Sequence, residues 1–180
     1  RSRNWFNVDW LLYNIKVFKK INDKTNFSFQ FFGLDASRKA LGFRVNRVSQ
    51  IDSNDQRDLI VGNFNNFGFE SKLLKEYNVF KKNAVFLIGQ KYYRSSNSSI
   101  QGPGSDGKDP DFKFYNDLFP YYANQSKYNY PNTNFSLFGE NIFNINDRFS
   151  ITPGFRFEYI NTKSIGSYRQ ILLDAAFNVI

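Results

Sequence analysis

The sequence predicts an all-β fold, an antiparallel transmembrane β-barrel segment of about six long strands, on three observations. Residues alternate in character with period two over long runs, as they do in strands whose two faces meet different surroundings. The apolar positions of those runs are filled mainly by aromatic side chains, with 22 Phe and 11 Tyr among 180 residues. Short turns also alternate with long connections along the chain.

The alternation is clearest at residues 134–160, where two runs face each other across Asn146, Asp147 and Arg148. In the first run Phe135, Leu137 and Phe143 share one face, and Ser136, Glu140 and Asn144 the other. In the second, Ile151, Pro153, Phe155, Phe157 and Tyr159 oppose Thr152, Gly154, Arg156 and Glu158. This predicts an antiparallel hairpin with Phe135, Leu137, Phe155 and Phe157 on one side and Glu140, Arg156 and Glu158 on the other. Such a hairpin suits a membrane barrel wall, and equally one sheet of a soluble sandwich. Pro153 removes a ladder donor inside the second run, which predicts a local bulge there.

The remaining strands follow in order. The first spans about 5–21 and ends at a turn of Asn22, Asp23 and Lys24, residue types that bond their own backbone. The second starts at Asn26, setting Phe27, Phe29 and Phe31 against Ser28, Gln30 and Phe32. A polar connection over 42–57 leads to a third strand, clearest at 66–73. Residues 73–77 read as a helical turn too short to stand alone. A turn at Lys81, Lys82 and Asn83 precedes a fourth strand over 84–94, and 95–133 forms the longest connection. The segment after Gly166 reads as loop, strand start or short helix. Long strands joined by tight turns at one end and long loops at the other form the layout of outer-membrane barrels, and here the barrel reading gains over the sandwich.

Composition narrows the functions. The chain has no Cys, His or Met, which removes thiol and His-based catalysis and predicts no enzyme and no cofactor. It starts at Arg1 without an initiator Met or signal peptide, as expected of a mature chain or a fragment. The net charge of +8 comes from Lys and Arg scattered through every segment, with no basic block, so nucleic acid is not the expected partner. No run approaches the ~18 apolar residues of a membrane helix. The mean hydropathy of −0.53 is compatible with a barrel, whose water-facing positions dilute the signal.

A family resemblance rests on Phe138-Gly139-Glu140-Asn141, the turn Asn146-Asp147-Arg148, and Pro153-Gly154-Phe155-Arg156-Phe157-Glu158. Asn66-Phe67-Gly68-Phe69-Glu70 and the Gly- and Asp-rich stretch 102–112 add to it. In this order and spacing they resemble the barrel of TonB-dependent outer-membrane receptors, closest to the ferric-dicitrate type of Bacteroidetes-like bacteria. The resemblance implies a 22-stranded barrel in a Gram-negative outer membrane, of which residues 1–180 form a part. It also implies a plug domain and a TonB complex as partners, both outside this segment, and uptake of a ferric chelate or similar small nutrient.

Site residues follow as expectations. Glu70, Glu140, Arg156 and Glu158 lie on polar strand faces and are expected to face the lumen. Arg38 and Arg94, with Arg44 and Arg47 nearby, lie at or beyond the upper strand ends, where Arg can hold an anionic chelate bidentately. Aromatic residues of the longest connection, Phe112 to Tyr130, either contact a chelate or sugar ring or pack the loop on itself. Asp106, Asp109 and Asp111 lack a Ca²⁺-loop spacing, and no metal site is expected. The competing reading is a soluble or surface-exposed all-β binding module, such as an adhesin or carbohydrate-binding sandwich. That module would cover Phe27, Phe29, Phe31, Phe155 and Phe157 with a second sheet; a barrel leaves them outward.

Overall fold

The computed structural model describes residues 2–43, 49–172 and 174–176. Its strands are β1 (Trp5–Asn22), β2 (Thr25–Gly42), β3 (Asp58–Val79), β4 (Lys82–Pro103), β5 (Ser126–Asn146), β6 (Phe149–Ile151), β7 (Gly154–Thr162) and β8 (Ile165–Tyr168). They form one antiparallel sheet in chain order, with β6, β7 and β8 all pairing with β5. No second sheet covers either face among the described residues. Among the described residues its buried hydrophobic side chains are Ala36, Leu41, Leu59 and Ala84, with Pro103 beside them, far fewer than a sandwich of this length would hold. The described strands form a single wall, open at both edges.

The expected hairpin is present in the expected register. Leu137 pairs with Phe157, Phe135 with Tyr159, Ser136 with Glu158, and Phe138 with Arg156. The bulge expected at Pro153 is absent. Ile151 pairs with Phe143 and Gly154 with Glu140, so the register runs through Pro153 without an extra residue. Asn141 still donates its backbone N–H to the Pro153 carbonyl at 2.9 Å; only the return bond, which would need a Pro N–H, is missing. The gap between β7 and β8 has the same cause on the facing strand. Lys163 donates to the Pro131 carbonyl at 3.0 Å, and Pro131 cannot donate back. β6, β7 and β8 are therefore one strand nicked twice by proline, and the wall has six strands.

Two of the three tight turns share one device. The Asn22 side chain accepts from the Lys24 N–H at 3.0 Å, and the Asn146 side chain from the Arg148 N–H at 2.9 Å. The third turn lies at Phe80 and Lys81, both at positive φ (49° and 64°), as a two-residue hairpin loop requires. This is one residue earlier than expected. Lys82 and Asp147 form a 2.7 Å ion pair between neighbouring turns. The Lys82 hydrogen bond and charge hold the Asp147 carboxyl below its usual range.

β3 and β4 are much longer than the sequence suggested. Residues 73–77 continue β3 rather than forming a helical turn, and Ser95 to Pro103 extend β4. The long connection after β4 accordingly contracts to 104–125.

Candidate functional site

The register sorts side chains into two faces of opposite character. One continuous cross-strand row reads Lys16, Gln30, Glu70, Lys91, Ser136, Glu158. One residue along each strand, on the opposite face, a second row reads Ile15, Phe31, Phe69, Tyr92, Phe135, Tyr159. In the aromatic row, Phe69 stacks on Tyr92 with ring centroids 5.5 Å apart. Glycines let rings lie across the strands on both faces: the ring of Phe138 covers Gly89, and that of Phe155 covers Gly139.

On the polar face, Lys72 reaches Glu70 at 2.6 Å, and Arg156 donates to Glu158 at 2.9 Å. Both partners of the latter pair are exposed, so water screens it. Lys91 lies over the Phe32 ring at 5.5 Å and Arg156 over Phe138 at 5.8 Å. Glu70, Lys91, Glu140 and Arg156 border one groove of about 650 Å³. The expected polar-face residues thus come together, with Glu158 joined through Arg156.

Toward the long-loop end the same face changes chemistry. Among its described strand residues above the polar row, Arg38 is the sole cation and Asp58 the sole anion. Asp58 is engaged by Gln101 at 2.7 Å and by the Tyr122 hydroxyl at 2.9 Å. Tyr128 and Tyr130 stack at 6.0 Å with 19° between their planes. Beside them Asn66, Asn97 and Asn132 hold amide oxygens shielded from water and without a partner. Each such orphan costs about 1–3 kcal/mol.

Arg38 and Arg94 do not converge. Arg38 is on the polar face, opposite Val8 and Gly62. Arg94 is on the aromatic face, opposite Phe67 and Thr133. Arg44 and Arg47 lie outside the described residues.

Two arginines that the sequence did not single out organise the loops. Arg57, fully buried, donates to the Ser105 carbonyl at 3.0 Å, the Arg3 carbonyl at 3.0 Å and the Asp109 carbonyl at 2.8 Å. Arg3, also buried, pairs with Asp52 at 2.6 Å and reaches the carbonyls of Asp55, Asp106 and Gly107. Burial, followed by the nearby Arg3 charge, pushes the Arg57 guanidinium below its ordinary range, though a guanidinium stays charged. The carbonyls of the Asp-rich loop are therefore spent on arginines and on Trp5, whose indole N–H meets Lys108 O at 2.7 Å. No group of three or more acidic side chains gathers as a metal site among the described residues. Trp5, Leu41, Leu59 and Gly102 form one row of the aromatic face, so residues 104–109 lean over that face. Of the loop aromatics, Phe114 packs on Gly102 and Tyr115 bonds Asp111, while Tyr121 is exposed. That hydrogen bond raises the Tyr115 hydroxyl above its usual pKa.

Over residues 2–172 the chain matches the model of the family described as TonB dependent receptor-like, beta-barrel. The chain belongs to that family. Barrels of these receptors lie in the outer membrane, and the six-stranded wall is a segment of one. The family is one of receptors rather than enzymes. Among solved structures the receptor wall is similar to the ferric citrate transporter FecA in its unliganded form. The TM-score is 0.62 at 14% identity, covering 89% of this chain and 23% of the transporter chain. The receptor wall thus spans about a quarter of that protein, and the similarity shows the fold. No curated protein matches the chain by sequence.

Proposed function

We propose that this wall belongs to a transporter that imports a small nutrient through its barrel, a ferric chelate being the first candidate. The observation that carries the reading is the pair of neighbouring rows, aromatic or aliphatic on one face and polar on the other across all six strands. Lipid takes the aromatic face, and the polar face lines the lumen. Glu70, Glu140, Arg156 and Glu158 then meet water and a plug domain encoded outside these residues. The plug moves when a TonB complex relays energy from the inner membrane, so the chemistry is conformational rather than covalent.

Within the lumen Arg38 is the cation available to an anionic chelate near the mouth. Arg94, on the lipid face one row beyond Tyr92, is placed to reach the headgroup region, as long cationic side chains do at membrane boundaries. The soluble-module reading has no support from the sheet, because no second sheet covers the aromatic face among the described residues. The test is iron-limited growth of a receptor-deleted strain carrying the full-length gene. TonB-dependent growth on a ferric chelate supports import; growth on every chelate without the gene or without TonB contradicts it.

A further inference from the structure

Resting on the import reading, we propose that the upper inner wall is a subsite for a neutral, hydroxyl-bearing ring, a sugar unit of the cargo, formed by Tyr128, Tyr130, Asn66, Asn97 and Asn132. A carboxylate-rich chelate needs several cations, and this part of the wall offers Arg38 alone among its described strand residues. What it presents instead is apolar ring surface beside amides. The Tyr128–Tyr130 stack, with Tyr130 37% exposed, offers a flat face for the C–H side of a pyranose. Asn97 is directly opposite Tyr130, Asn132 opposite Ser95, and Asn66 opposite Ser95 from the other side, so the three amides lie on adjoining strands around one spot.

The amides carry the second, independent observation. All three have an acceptor oxygen shielded from solvent and without a donor among the described residues. Hydroxyl groups are donors as well as acceptors, so a ring edged with them can supply what these oxygens lack once the side chains turn toward it. A few placed polar groups set in aromatic surface are the usual make-up of a small-molecule site. The position near the mouth, above the ionic row of Glu70 and Lys91, lets a neutral ring dock before any charged part of the cargo travels deeper.

The ring can come from a free oligosaccharide or from a sugar carried on a chelate. The experiment uses the full-length receptor in detergent, an array of neutral oligosaccharides, a glucosylated ferric catecholate, its unglycosylated counterpart, and ferric citrate. Binding is measured for wild type, Tyr128→Ala/Tyr130→Ala and Asn97→Ala/Asn132→Ala, with assembly checked by heat-modifiable migration. Expected is binding of an oligosaccharide or of the glucosylated chelate, weakened at least tenfold in both variants; which of the two binds identifies the source. Binding that both variants leave unchanged would overturn the subsite. So would failure of every sugar-bearing probe to bind wild type; the import reading would then still be judged by TonB-dependent growth, which does not require this patch.

Discussion

Arg38 and Arg94 stand on opposite faces of the same sheet. Arg38 is opposite Gly62 and Gly62 opposite Ser99, whereas Arg94 is five residues from Ser99 and so points the other way. On uptake the two substitutions should therefore separate. Arg38→Gln is expected to weaken capture of an anionic ferric chelate about tenfold or more, a charged hydrogen bond being worth ~1.5–3 kcal/mol. Arg94→Gln is expected to leave uptake at wild-type level. Equal loss in both variants in a radiolabelled-iron assay would place Arg94 back among the ligand contacts.

Phe155 and Arg156 are neighbours in sequence and differ in surroundings. Phe155 lies two rows from Tyr159 toward the short turns, inside the apolar band. Phe155→Arg is expected to destabilise the assembled barrel by about 2–4 kcal/mol if the site is near the bilayer midplane. Arg156→Gln gives up an exposed ion pair with Glu158 and is expected to cost ~0–1 kcal/mol. Urea titration of the folded receptor in lipid vesicles reads both; similar losses would contradict the assignment of faces.

A side chain at Gly68 has nowhere to go. Its Cβ would fall 2.6 Å from the backbone carbonyl of Tyr92 and 2.8 Å from the Phe32 ring. Because one obstacle is backbone, Gly68→Val should destabilise by about 1–3 kcal/mol, the range for overpacked sites. A folded fraction equal to wild type on semi-native gels would mean that the strands separate more easily than the register implies.

Arg57 ties its own segment, the N-terminal segment and the Asp-rich loop together. Arg57→Leu leaves the carbonyls of Ser105, Asp109 and Arg3 without this donor while the strands keep their pairing. The expected outcome is faster proteolysis within 104–125 on intact cells, with barrel assembly retained. Unchanged cleavage would show that Trp5 and Arg3 suffice to hold the loop.

Legibility in the sequence followed the membrane. Where one face meets lipid and the other water, the alternation of Phe135 to Ile145 and of Phe155 to Tyr159 sets the register, and the hairpin is as expected. Beyond the apolar band, along Ser95 to Ser99 of β4, both faces are polar, and the period disappears. Ser95-Ser96-Asn97-Ser98-Ser99 looks like loop and is strand. The same loss of contrast hid the opposite orientations of Arg38 and Arg94. Pro153 was legible as a broken ladder bond, but a missing donor does not require an extra residue, and the bulge inferred from it does not form. The Arg3 and Arg57 pair gave no pattern at all. Its partners are mostly carbonyls, with one carboxylate and the Ser105 hydroxyl, from about 50 to 100 residues away, and backbone acceptors leave no trace in side-chain spacing.

The two-faced wall is tested most directly at Phe157 and Glu158. This segment has no native Cys, so single cysteines there can carry a nitroxide label in an otherwise Cys-free full-length receptor in lipid vesicles. The label at 157 is expected to collide mainly with dissolved oxygen, which concentrates in lipid. The label at 158 is expected to collide mainly with a water-soluble nickel chelate. Matching accessibilities at the two positions, or the reverse assignment, would contradict the wall as described.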